Sequence, residues 1–439
     1  MLGDLYESTI IGIFLILLFK VLFDSSKKFI FREWALLLYA INYLVAPLIT
    51  YRIQEEQINN IMKIPFDEYF GLALPGFVIF WIGMYAIPTN IFGFDFKSVK
   101  KASIVNQSFL TKVTIIGILL RITTSYVPGE LAFFVYLFAL LRFVGAFALL
   151  SVNRKLWYWT AVSLLIEFYI AFLDGMYHDA IMWLIFFTLY WVYTFKPSLQ
   201  IKLVGLAAFI TFILFIQTMK YEYREQVWYG QKSASLETIT DLGLQKANKD
   251  ELLGEENLLK TLNRGNQAWI FASTVDNMNQ QKNFQGLNNV NKYIEAALLP
   301  RFLAPDKIKA GNQEIFNEFS GHTVNEVTAM GLGIFADGYI AYGAWGVYIF
   351  AFALGLIFSL TFKLVERWSK ISTFYVLLLL PLLNYAVRPD CELQTSINHL
   401  FKGILLYGFL VYLTRKRFTL DSQENQRKLL HLNLTTSKK

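Results

Sequence analysis

LAFFVYLFALLRFVGAFALLS, residues 131–151, is the stretch that decides the fold. It carries a single charge, Arg142, in twenty-one residues. At 1.5 Å per residue a helix of that length crosses a hydrocarbon layer of about 30 Å. The run is apolar throughout and lacks the polar–apolar alternation of a transmembrane barrel strand. Its flanks give it a direction. The 126–130 turn before it has no Lys or Arg, whereas Arg154 and Lys155 follow it. Cationic loops are retained on the cytoplasmic side of a membrane, so this segment is expected to run from outside to inside.

Outward from this segment the pattern repeats. Apolar blocks of similar length lie at about 7–23, 34–50, 70–87, 109–125, 131–151, 156–173, 180–195, 201–219, 338–361, 372–387 and 397–414. Every second connection is basic: Lys27, Lys28 and Arg32; Lys97, Lys100 and Lys101; Arg154 and Lys155; Lys196 and Lys202; Lys363, Arg367 and Lys370; Arg415, Lys416 and Arg417. The short intervening loops are poor in base, with only Arg52 and Lys63 in one and Arg388 in another, while the segment 220–333 is longer than the range over which loop charge sets topology. The alternation predicts eleven transmembrane helices, an outer N-terminus bearing Asp4 and Glu7, and a cytoplasmic C-terminus. The first block lacks a basic start and is followed by positive charge, so it reads as an anchor, not a cleaved leader.

Composition agrees. The chain is 55% hydrophobic and only 17% charged, against about 25% charged in soluble domains. The net charge of +7 is explained by the inner loops and the basic tail beside anionic lipid, not by a nucleic-acid partner. One cysteine, Cys391, leaves no disulfide framework, and four histidines without H-E-x-x-H argue against zinc. No glycine-rich phosphate loop and no G-x-S-x-G elbow is present.

The expected organisation is a bundle over 1–219, a large outer loop over 220–333, three more helices over 334–414 and a basic tail over 415–439. The loop is too long for a plain connector. Leu236–Leu262 and Asn288–Leu299, the latter stopped at Pro300, are expected to form short amphipathic helices, some lying on the membrane surface. No internal repeat is visible, which counts against a transporter built of repeated halves.

The chemistry-bearing residues gather on the outer side. Arg264, Arg301, Arg388 and Arg121 are candidates for gripping a diphosphate, because guanidinium forks make bidentate charge-assisted bonds and stay charged. Interfacial anchoring and loop ion pairs are the alternative reading of each. His322, Glu326 and Asp337 are candidate proton acceptors, although either acid also suits a helix N-terminus. Asp174 and His178, in Asp174-Gly-Met-Tyr-His178-Asp179, and Tyr339 are candidate substrate contacts. Arg142 and Glu167 lie at membrane depth and are expected to find a partner there, each other included. Gly343, Gly346 and Ala351-x-x-x-Gly355 suit close helix packing. Trp157, Trp159, Trp183 and Trp191 read as an interfacial belt.

The outer loop placed before the last three helices, together with Leu299-Pro300-Arg301…Pro305-Asp306-Lys307, Thr323 and Thr328, the pair Asp337 and Tyr339, and Tyr342-Gly343-x-x-Gly346, resembles the Wzy-like oligosaccharide repeat-unit polymerases of O-antigen and capsule assembly. Asp337 stands where that family tends to have Glu, Tyr342 where it has Phe, and Lys307 lacks a following Pro. The resemblance implies a metal-independent, cofactor-free, GT-C-like glycosyltransferase in a bacterial inner membrane. It would transfer glycan from undecaprenyl pyrophosphate to a second lipid-linked repeat unit on the periplasmic side, with a chain-length regulator as a further candidate partner. A ligase joining finished polymer to a lipid core, and a transporter or flippase of lipid-linked sugars, are the competing expectations.

Overall fold

The structure, a computed structural model, describes residues 2–53, 61–228, 235–246, 254, 257–259, 261, 265–299, 307–308, 311–324 and 330–419. Among these the chain is all-helical. Helix α1 is Leu2–Asp24, α2 Phe31–Ile53, α3 Phe66–Met84, α4 Phe96–Val105, α5 Gln107–Thr123 and α6 Gly129–Val152. Then come α7 Trp157–Asp174, α8 His178–Phe195 and α9 Leu199–Trp228. The loop contributes α10 Leu236–Lys246, α11 Ala268–Gln281, α12 Asn288–Leu298 and α13 Gln313–Ser320. The last elements are α14 Ile334–Ile371, a 3₁₀ stretch Thr373–Leu378 running into α15 Leu379–Leu383, and α16 Leu393–Phe418.

Among the described residues nine helices are long and apolar enough to cross a membrane: α1, α2, α3, α5, α6, α7, α9, α14 and α16. The chain is thus a multi-pass membrane protein by length and composition. Two further segments expected to span, α8 and the stretch after Ser372, do not meet that measure. Helix α8 is buried on one side by its own aromatic residues, with Trp183 stacked on Phe143 at 3.9 Å. Trp183 is therefore a core residue and not part of an interfacial belt, whereas Trp157 is exposed. The segment 373–392 runs antiparallel along α16. Phe374 stacks on Phe418 and Tyr375 Oη bonds Thr414 Oγ1 at one end, and Pro381 O accepts from His399 midway. Every residue from Phe374 to Leu383 is buried. Tight 3₁₀ backbone at such depth is tolerated where protein, not lipid, surrounds it.

Cross-contacts define the two ends of the bundle. At one end Phe29 N donates to Phe92 O, Lys202 Nζ to Leu22 O, Tyr193 Oη to Phe94 O and Thr89 Oγ1 to Glu366. The basic connections singled out above meet there. At the other end lie the Glu7–Arg52 pair, the Tyr43–Pro389 and Arg388–Asp179 contacts and the loop helices.

Helices α3 and α14 approach through small residues. A Cβ on Gly83 would lie 2.7 Å from Phe352 O, and one on Gly355 would collide with Phe80 O. Close backbone contact of this kind supplies packing where lipid gives no hydrophobic drive between helices. Helix α14 is broken at Tyr342–Gly343, where Gly343 takes φ 60° and ψ −141°. The carbonyls freed at the break are not orphaned: Gln285 N donates to Ile340 O and Gly286 N to Ala341 O. Gly343 and Gly346 thus serve a sharp turn, while Ala351 and Gly355 lie on the packed face.

The loop helices fall where expected at Leu236 and Asn288, and a further one, α11, packs into the bundle. Its Phe271, Ser273, Val275 and Met278 are buried, and Phe271 meets Tyr69 of α3 and Phe335 of α14. The sequence shows an apolar face but not what covers it; here the bundle does. Helix α9 also runs past the expected boundary at 219, to Trp228.

Candidate functional site

At the end away from the basic loops an open cavity of about 260 Å³ is lined by Tyr385, Arg388, Asp390, Glu392 and Thr395, with Gly311 and Gly331 of the large loop on its far wall. Four elements build it. Ser372 starts the buried passage whose turn carries Arg388. Helix α8 begins with His178 and Asp179 under that turn. Helix α2 holds the turn from behind: Tyr39 Oη donates to Ala386 O and Tyr43 Oη to Pro389 O, both at 3.1 Å. These tyrosines flank the start of a π-helical turn, Ile41–Val45, a local widening found often at functional sites. The large loop closes the fourth side, where Gly311 N donates to Glu392 Oε1 at 2.7 Å.

The two polar clusters that lie far apart in sequence are one site in space. Arg388 Nη1 donates to Asp179 Oδ1 at 2.8 Å, and His178 Nδ1 lies 3.6 Å from Asp390 Oδ2. Tyr136 of α6 donates to the second Asp179 oxygen at 3.2 Å. The guanidinium sits over the Tyr385 ring at 4.7 Å. Its Nε has no hydrogen-bond partner among the described residues, Asp390 Oδ1 being 4.0 Å away. Burial pushes the Glu392 carboxyl above its usual range, against the opposing hydrogen bonds from Gly311 and Thr395. Burial likewise pushes the Cys391 thiol up to about 12. Among the described residues no cluster of His, Cys, Asp and Glu is arranged to hold a metal.

The other expected site residues divide. Asp337 is buried beside the cavity, not in it. It accepts from Tyr293 Oη at 3.2 Å and from Leu393 N at 3.0 Å, so it is an acid at a helix N-terminus, that of α16. His322 is held over α11, its Nε2 3.0 Å from Ser273 Oγ and its ring edge-on to Trp269. Burial lowers its pKa below the ordinary histidine value. Tyr339 turns toward α11 and donates to Asn279 Oδ1 at 2.7 Å. Asp174 is exposed at the end of α7.

Arg121 does not reach the cavity with a free fork. Its Nε and Nη2 donate to the two oxygens of Glu167 at 3.1 and 3.0 Å. Arg142 donates to the same carboxylate and to Ala139 O. The expected Arg142–Glu167 pair is therefore a triad.

Arg264, Arg301 and Glu326 lie outside the described residues, but their neighbours are placed. Asn266 Nδ2 donates to Thr50 Oγ1, and Gln267 Nε2 to Gly331 O on the cavity wall. On either side of Arg301, Lys307 Nζ donates to Leu299 O at 2.6 Å, and Ile308 O accepts from Gln394 of α16. In the sequence Asp390 and Glu392 stand beside Arg388, and Asp179 beside His178, but nothing there shows that the two loops meet. Tyr39 and Tyr43 carried only a weak signal, two hydroxyls four residues apart in an otherwise apolar helix.

Fold and site together define a class: an α-helical multi-pass membrane protein with an arginine–carboxylate cavity at one end of the bundle, roofed by a long loop. The chain belongs to a family described as a domain of unknown function, DUF8712, which matches residues 76–372, about two thirds of its length. No curated protein and no solved structure matches it.

Proposed function

We propose that this protein is a membrane glycosyltransferase that joins lipid-linked oligosaccharide units at the outer face of a bacterial inner membrane, as a Wzy-like repeat-unit polymerase does. The observation that carries the reading is a cavity lined by Arg388, Asp390 and Glu392 at the end opposite the basic loops, with Asp179 of α8 brought onto Arg388. Positive loops are kept inside, so that cavity faces outward, where flipped lipid-linked sugars reside.

Each group has a task. Asp179 orients the Arg388 guanidinium, which stabilises charge on the departing pyrophosphate. Arg264 and Arg301, which lie outside the described residues, are the further candidates for the grip. Glu392, its basicity raised by burial, takes the proton of the attacking sugar hydroxyl. The pyrophosphate–sugar bond breaks as the new glycosidic bond forms, and lipid pyrophosphate leaves. Membrane anchoring of both substrates reduces the entropic cost of their meeting.

The test is a gene deletion in the source organism, complemented with variants. Wild type restores a ladder of long glycan. Arg388→Ala, Arg264→Ala and Arg301→Ala, present in the membrane, leave single repeat units. Full ladders from all three overturn the reading, and accumulation of lipid-linked polymer in the deletion strain points to a ligase instead.

A further inference from the structure

A second cavity, of about 380 Å³, opens between α14 and α16 toward the basic end, away from the Arg388 site. Its walls are Ile357, Leu360, Leu364, Leu400 and Ile404, and its rim carries Lys363 and Arg367. The volume is within the range of small-ligand sites, about 300–1,000 Å³. Lys363 is already neutralised, with its Nζ 3.0 Å from Glu366 Oε2, which also accepts from Thr89. Arg367 is exposed and makes no ion pair among the described residues. Leu360, on the wall, is 51% exposed. One guanidinium without an ion pair among the described residues thus stands at the mouth of an apolar groove, at the end where the bundle gathers its lysines and arginines.

We propose that this groove binds one anionic phospholipid of the cytoplasmic leaflet, with an acyl chain along Leu360, Leu364 and Leu400 and the phosphate on Arg367. Charge and shape both select this occupant. A zwitterionic lipid also offers a phosphate, but its ammonium offsets the attraction to the guanidinium, and a free phosphate leaves the apolar walls uncovered. Basic pockets between helices on this side of a membrane suit such headgroups. The proposal rests on the membrane reading and not on the glycan reading, so the two fail independently.

The test is native mass spectrometry of the full-length protein titrated with phosphatidylglycerol or phosphatidylcholine of matched chains. Wild type is expected to hold phosphatidylglycerol more tightly. Arg367→Ala should weaken it about fivefold, the effect of one basic residue near a lipid surface, and abolish the preference. Leu360→Trp, which fills the groove from an exposed position, should weaken both lipids. Lys112→Ala, on another face of the same end, should change neither, and glycerol phosphate should not compete. Equal binding of the two lipids by wild type, an unchanged preference in Arg367→Ala, or an equal loss in Lys112→Ala overturns the proposal.

Discussion

At the scale of single residues, two carboxylates near the same cavity are held differently. Asp337 has both oxygens committed, one to a phenol and one to a backbone amide. Asp337→Asn places an amide nitrogen against one of these donors and leaves it unsatisfied, a loss of about 1–3 kcal/mol. The variant is expected to melt earlier in detergent while surviving protein keeps its specific activity. Inactive but fully stable protein would make Asp337 the base after all. Glu392, in contrast, lines the cavity and must be ionised to accept a proton. Its pKa lies above the usual glutamate value, so kcat/KM should rise with pH through a midpoint displaced upward, and Glu392→Gln should lose that limb. Which residue did which job was not legible in the sequence. An acid two positions before Tyr339 and an acid beside Cys391 look alike until the backbone amide of Leu393 claims one of them.

Among the elements, the α3–α14 seam has the least tolerance. Gly355→Leu drives a branched side chain into Phe80 O and Met84 N. Overpacking of this kind costs about 1–3 kcal/mol, and the variant is expected to unfold at lower temperature or lower denaturant than wild type. Ala351→Gly, on the same helix face, should change the midpoint far less. An equal drop in both would locate the weakness in helix propensity, not in the seam. The small-residue pattern was readable along α14 because packing through glycine leaves a spacing signature. Its partner glycines at 76 and 83 had none, since a hydrophobic helix rich in phenylalanine hides a lone glycine. The buried 3₁₀ passage after Ser372 was readable as an apolar run but not as tightened backbone, because lipid and protein cover apolar residues alike.

For the whole molecule, the decisive property is sidedness. The native chain has one cysteine, Cys391, at the cavity end. A membrane-impermeant maleimide added to intact cells should label Cys391 about a hundredfold or more slower than an exposed thiol, because thiolate is the reactive form and burial holds the group near 12. Raising the pH below that value should speed labelling about tenfold per unit. In a Cys391→Ser background, Tyr126→Cys, 85% exposed at the same end, should label at once. Lys155→Cys should label only after permeabilisation. The reverse pattern would invert the molecule and place the cavity in the cytoplasm. The apolar blocks and the alternation of base were plain in the sequence because both obey a one-dimensional rule. The cavity was not, since residues 179 and 388, which bond each other directly, stand 209 positions apart in the chain.

The burial of α11 has a consequence for biogenesis. Thr50 binds Asn266, and Tyr69 meets Phe271, so the second and third helices are finished by a segment synthesised some two hundred residues later. The nascent amino-terminal helices must wait with that socket unfilled until the loop has been synthesised. A ribosome-stalled fragment ending near residue 228 should therefore be handed to quality control, whereas one extended beyond α14 should resist it.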